Sequence, residues 1–319
     1  MIGYLQRNSF RAMGTACTLA VTTLPADSRI ARGALAAGRV ELGACERALS
    51  RFDPESDLSR LNRAAGEWVE VDPRLAGALR LAIRARVATD GSFDPTILPA
   101  LVAAGYDRTF EELEERPSRT VRGWRAGAEI EVAPDLDRAR VERGAAVDLG
   151  GIGKGFSAER AIDAMRQAWP SLPGALVDLG GDVAVHGVPP ERGPWRITVA
   201  DPRHPGVALG TLRLETGGVA TSGRNARRFG PGKSLHHLID PATGRPAVAG
   251  PLAVTVVARD AAWAEVHATA LAISELGHGH DHLAAHPGVA ALLISHEGEV
   301  VSLGPLPLEE APELAEAVA

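Results

Sequence analysis

The sequence predicts an α+β fold, built mainly from antiparallel sheets packed with helices. Two observations carry this. The first third of the chain reads as amphipathic helices separated by Pro, Gly and Asp breaks. After Val147, apolar runs near 175–179, 195–200, 209–214, 252–258 and 289–295 are separated by short Gly-, Pro- and Asp-rich turns, and short links favour antiparallel neighbours. No internal repeat, low-complexity tract or linker divides the chain, so residues 1–319 are expected to form a single domain.

The elements follow in order. Thr15 to Thr23 alternates loosely and reads as the first strand. Asp27 or Ser28 caps a long amphipathic helix reaching about Ser50. Arg51 to Asn62 is a turn followed by a short helix, and Pro73 opens another helix that stops near Gly91. Asp94-Pro95 breaks the chain before a short helix from about Thr96 to Ala104. Residues 108–145 are polar and irregular, with edge strands expected. Two helices, about 156–168 and 260–276, interrupt the later strands; Asp260 is the cap of the second and Gly277 its stop. Leu308 to Ala319 reads as a helical end.

Composition excludes several classes. The 34 basic and 40 acidic residues leave a net charge of −6, which argues against a nucleic-acid binder. Two cysteines, Cys17 and Cys45, are too few for a disulfide framework or a cysteine metal site. No run reaches the ~18 apolar residues of a membrane span. Ala12 to Val21 is too short for a secretory core and is broken by Gly14 and Thr15, and Ala16-Cys17 lacks the Leu of a lipoprotein site. A cytoplasmic protein is expected.

The densest chemistry lies in Val147-Asp148-Leu149-Gly150-Gly151-Ile152-Gly153-Lys154-Gly155. A strand, a glycine loop and a helix start aim backbone N–H groups at an anion, usually a phosphate, and Lys154 adds a point charge. The loop is neither a Walker A sequence, since Gly155 follows Lys154, nor a dinucleotide fingerprint, since Phe156 stands at the third glycine position. A tight strand–helix connection is the plainer reading of the same residues. Glu265 and Thr269, four apart on one helical face, can address a hard cation such as magnesium, or form a surface patch on an alanine-rich helix. Of His236 and His237, alternation sends at most one into a site, where it could act as a general base. Thr221-Ser222 places two hydroxyls at a strand end. His278, His280, His282 and His286 follow the expected helix stop in a polar segment, and read as a solvated connection rather than a zinc site.

Taken together, these segments resemble the ApbE-type FAD:protein FMN transferases. The landmarks run in order: Met13-Gly14-Thr15; Ser50-Arg51-Phe52-Asp53; Gly91-Ser92-Phe93-Asp94-Pro95-Thr96; Asp148 to Gly155; Asp178-Leu179-Gly180-Gly181-Asp182; Thr221-Ser222-Gly223; His237 to Gly244; Ala264 to Ala270. The resemblance implies a T-fold-related architecture of two lobes enclosing a flavin pocket. It implies FAD as substrate, magnesium as cofactor, and an acceptor protein that receives FMN on a Ser or Thr hydroxyl while AMP leaves. By that pattern Gly153, Glu265 and Thr269 hold the metal, and His237 is the catalytic base. Met13, Phe52, Phe93, Asp94, Gly150, Phe156 and Ile239 line the flavin or its phosphates. Lys154 would hold the pyrophosphate, with Thr221 and Ser222 as further binding hydroxyls.

Three positions depart from the family pattern: Glu265 replaces the usual Asp, Asp178 a common Asn, and Arg224 a frequent acidic residue. The lack of an export signal is a fourth departure. Two alternatives share the same site: a magnesium-dependent FAD pyrophosphatase giving FMN and AMP, and an FAD-binding protein without turnover.

Overall fold

The computed structural model describes residues 3–310, apart from 65, 114–117, 135–136, 189–192 and 226. The chain opens with a hairpin of β1 (Tyr4–Ala12) and β2 (Thr15–Thr23), turned by Met13 and Gly14 at φ of 52° and 68°. Thr15–Thr23 is therefore the second strand. The first carries Arg7 and Arg11 and pairs only with β2, so an edge position leaves it without the apolar alternation that marks a strand.

Next come α1 (Ser28–Leu49), α2 (Asp57–Arg63), β3 (Val69–Glu70), α3 (Pro73–Ala88) and α4 (Leu98–Ala104). Their starts are chemically marked. Ser56 Oγ accepts the Ser59 N–H at 3.0 Å, and Asp72 Oδ1 accepts the Arg74 N–H at 2.8 Å beside Pro73. Two short strands follow, β4 (Ile130–Val132) and β5 (Arg138–Val141), in the irregular segment where edge strands are expected.

The second half contains α5 (Gly153–Ala168), β6 (Ala175–Leu179), β7 (Asp182–His186), β8 (Trp195–Ala200), β9 (Ala208–Leu214) and β10 (Gly217–Gly223). Four two-residue strands come next: β11 (Arg228–Phe229), β12 (Leu235–His236), β13 (Ile239–Asp240) and β14 (Arg245–Pro246). The chain then forms β15 (Ala253–Ala258), α6 (Ala261–Ile273), α7 (His278–Ala285), β16 (Ala290–Ile294), β17 (Val300–Leu303) and β18 (Leu308–Glu310).

Three expectations are corrected here. The late helix ends at Ile273, not 276, because Ser274 turns extended (ψ 152°) and folds its hydroxyl back onto the Ala270 carbonyl at 2.8 Å. The histidine-rich segment is helix α7, not a solvated link, because its Leu283 and His282 pack onto the protein. Burial pushes the imidazoles of His267 and His282 down to about 3 and about 4. At the tail, residues 308–310 form a strand paired with β9 rather than the start of a helix, and residues 311–319 lie outside the described residues.

The main sheet has eight strands in the order β1-β2-β6-β7-β10-β15-β16-β17, and every neighbouring pair is antiparallel. On one face α1 and α5 cover Leu19, Val21, Val177 and Leu179, while α6 covers Val254 and Val256. On the other face β8, β9 and β18 bury Val183, Val185 and Val219. A further core joins α2, α3 and β3–β5 around Leu58, Leu75 and Leu79. α5 and α6 touch so closely that a Cβ on Gly155 would lie 2.3 Å from the Ala261 carbonyl oxygen. That contact fixes the face of α6 relative to the glycine loop.

Candidate active site

The glycine loop, the end of β10, the β12–β13 segment and α6 converge on one open cavity. An adjoining cleft extends past Met13, Gly14, Glu46, Phe110 and Gly153. Of the residues singled out in the sequence, Phe52, Gly150, Lys154, Thr221, Ser222, His237, Ile239, Glu265 and Thr269 line the cavity, and Met13 and Gly153 line the cleft.

The remaining three lie elsewhere. Phe93 is buried behind the loop, where its ring would meet a Cβ on Gly151 at 3.1 Å. Asp94 is a buried turn anchor: Oδ1 accepts from Thr96 N and Oγ1 at 2.8 and 2.7 Å, and Oδ2 accepts the Gly127 N–H at 2.6 Å. Phe156 points at α3, 3.3 Å from where a Cβ on Gly77 would stand. None of the three lines the cavity or the cleft.

Glu265 is the electrostatic centre. It is buried, its Oε2 accepts the Gly155 N–H at 2.8 Å, and its Oε1 accepts from Lys154 Nζ at 2.9 Å. A carboxylate on the first turn of α5 meets the positive end of that helix dipole. Lys154 also pairs with the buried carboxylate of Asp182, so one ammonium bridges two acids. Thr269 stands beside the loop, with Oγ1 2.9 Å from where a Cβ on Gly151 would sit. Only glycine leaves that hydroxyl open. The Gly153 carbonyl accepts from Ser157 Oγ at 2.7 Å, which leaves it a second lone pair. The donor set of two carboxylates, a hydroxyl and a carbonyl is all hard oxygen and suits magnesium.

His237 and His236 divide as alternation demands. His236 turns inward, its Nε2 3.0 Å from the Ala247 carbonyl. His237 faces the cavity, and its buried Nδ1 has no hydrogen-bond partner. Burial first, then the positive charge of Arg227, pushes its pKa down to about 3, so the ring is neutral at pH 7.

Arg51 was not among the candidates, although it sits in the Ser50–Asp53 landmark. Its Nε pairs with Asp148 Oδ2 at 2.7 Å, both side chains being almost wholly buried. The guanidinium lies over Phe52 and Tyr106, 4.1 and 4.6 Å from the ring centroids, and its buried Nη2 has no partner. Arg227 also lines both the cavity and the cleft. The two arginines offset the acids and present cationic walls to an anionic ligand. Of the departures, Asp178 accepts the Gly181 N–H at 2.8 Å, and Arg224 donates to the Val248 carbonyl at 3.0 Å away from the cavity lining.

A model of the ApbE family matches residues 13–293, most of the chain and every landmark above. The chain belongs to the ApbE family. An FAD:protein FMN transferase of Salmonella typhimurium is 28% identical over 272 residues, covering 82% of this chain and 76% of that protein. Another from Treponema pallidum is 31% identical over 271 residues, covering 78% and 73%. The ApbE protein of Thermotoga maritima superposes with a TM-score of 0.80 at 27% identity, over 98% of this chain and 99% of that one. The flavin transferase ApbE of Vibrio cholerae shares the fold, with a TM-score of 0.77 at 24% identity over 95% and 98%. The ApbE fold is thus this mixed α and β architecture with an antiparallel main sheet. No described helix is long and apolar enough to cross a membrane.

Proposed function

We propose that the protein transfers FMN from FAD to a Ser or Thr hydroxyl of an acceptor protein, releasing AMP. The observation that carries this is the convergence of His237, Lys154, Glu265, Thr269 and the glycine loop on one cavity, in a chain of the ApbE family. The relatives named FAD:protein FMN transferase support the substrate and the protein acceptor.

In the reaction, the acceptor oxygen forms a bond to the FMN-side phosphorus. The bond from that phosphorus to the bridging oxygen breaks, and AMP leaves with the oxygen. His237, which lines the cavity, takes the hydroxyl proton; a neutral imidazole is the form able to do so. Arg51 and Arg227 hold the diphosphate against the loop, and the apolar faces of Phe52 and Ile239 pack the flat flavin. Magnesium would be held by Glu265 and Thr269, with the Gly153 carbonyl, and would supply charge neutralisation at the phosphates. Asp182 is a further oxygen donor beside them, and Lys154 balances these acids.

The test is to incubate the protein with FAD, magnesium and a partner bearing a Ser/Thr flavinylation motif, then weigh the partner. A covalent FMN adduct with matching AMP release is expected. AMP release that does not depend on any acceptor, with no adduct on several acceptors, would identify a pyrophosphatase instead.

A further inference from the structure

Helix α6 presents Glu265 and Thr269 to the cavity. His267 lies midway between them in sequence, hence on the opposite side of the helix. There it meets His282 of α7 and His286, the residue that caps α7. His282 and His286 are four apart and share one helical face, the spacing by which paired imidazoles chelate one ion.

The three rings form a closed triangle, with centroid separations of 5.0, 4.7 and 4.5 Å. One ring nitrogen from each lies within 4.8 Å of the other two. His267 Nδ1 and His282 Nε2 are 2.9 Å apart. Tetrahedral bonds of about 2.0–2.1 Å put ligand nitrogens roughly 3.3 Å from each other, so small ring rotations suffice. His286 Nδ1 lies 2.6 Å from the His282 carbonyl. A bond from one ring N–H to a backbone carbonyl is the usual way a ligating histidine is oriented, and it leaves Nε2 as the ligand atom. That Nε2 now lies 2.8 Å from the Ala88 carbonyl, an exposed contact that ligation would exchange. The ring of Trp263 stacks on His267 at 5.5 Å and closes one side.

We propose that His267, His282 and His286 form a binding site for a late first-row divalent cation of the zinc type, separate from the oxygen-lined cavity. Imidazole donors select such ions, whereas magnesium prefers oxygen. The site has three protein ligands and an open fourth position. It pins α7 to the back of the helix that carries Glu265 and Thr269.

The full chain, stripped with a chelator and dialysed, is titrated with Zn²⁺ by calorimetry and with Co²⁺ by absorption spectroscopy. One equivalent of Zn²⁺ should bind, and Co²⁺ should show the strong ligand-field bands of a low-coordinate nitrogen site. His282→Gln and His286→Gln should each weaken binding by at least ~10–100-fold, the loss that even outer-shell partners of a metal cause. His280→Gln, on the same helix but outside the triangle, should bind as the parent does. X-ray absorption on the zinc-loaded parent keeps the test decisive if a variant fails to fold. Three imidazole nitrogens around zinc are expected there. An oxygen-dominated shell, no bound Zn²⁺, or equal affinity in the folded His282→Gln chain would overturn the site and leave a hydrogen-bonded histidine core.

Discussion

At the scale of single residues, the proposed chemistry depends on His237. A cavity-facing imidazole with a free nitrogen and a pKa pushed down to about 3 is neutral across the working pH range. His237→Ala should retain FAD but lose transfer by ~10²–10⁴-fold, the usual cost of losing a general base. Fluorescence titration of FAD beside single-turnover rates separates the two effects. The pH profile of kcat/KM for FAD reports the free enzyme, so it should show no acid limb near 6.5, where an ordinary histidine titrates. A limb there would contradict the buried, neutral ring. Alternation could show that one of two adjacent histidines enters the site, but not which; only the family resemblance pointed to His237. The choice rests on His236 finding the Ala247 carbonyl, a partner eleven residues away across a turn. Arg51 carries no local signal of its role for the same reason: its partners Asp148 and Tyr106 are distant in sequence.

At the scale of elements, the α5–α6 contact positions the carboxylate. Gly155→Ala would normally favour a helix interior by about 1 kcal/mol. Here the added Cβ meets Ala261 backbone atoms at 2.3 and 2.5 Å, so the helices must separate. A loss of at least ~1–3 kcal/mol and a lowered melting temperature are expected, with weakened metal dependence because Glu265 moves off the loop. Gly77→Ala, which meets only the tip of Phe156 at 3.3 Å, should be mild by comparison.

Glu159 tests the same interface through pH. Its Oε1 accepts the Ala261 N–H at 2.7 Å at the start of α6. Burial, reinforced by Asp260 and Asp163, raises its pKa from 4.5 to about 7. A raised folded value means the contribution is present below 4.5 and is lost as pH rises through about 7. Glu159→Gln keeps an acceptor but no charge, so it should melt higher than the parent at pH 8 and alike at pH 4.5, by ~3 kcal/mol at most. Thermal melts at the two pH values decide it. Periodic elements such as α1 and α5, and α3 with its Asp72 cap, were legible because their signals are local. β1 and α7 were not: an edge strand alternates weakly, and α7 gains its helical state from packing on α6.

At the scale of the whole molecule, the ordered landmarks announced the fold and the cavity, because all of them except Gly91–Thr96 contribute residues to the cavity or the cleft. What they did not announce is the charge network that links them. Lys154 answers to Asp182 and Glu265, and Arg51 to Asp148, so acids and bases are matched across segments far apart in the chain. Glu265 in place of the usual Asp fits this network. Its longer side chain spans from α6 to the Gly155 N–H. The central claim is that a flavin diphosphate and a dication meet over this glycine loop. The most direct measurement is a crystal structure of the chain soaked with FAD and Mn²⁺, read by anomalous scattering. A manganese peak bonded to Glu265 and Thr269 is expected, with the diphosphate alongside and within reach of His237. A dinucleotide bound elsewhere, or manganese absent from these oxygens in crystals that hold FAD, would contradict it.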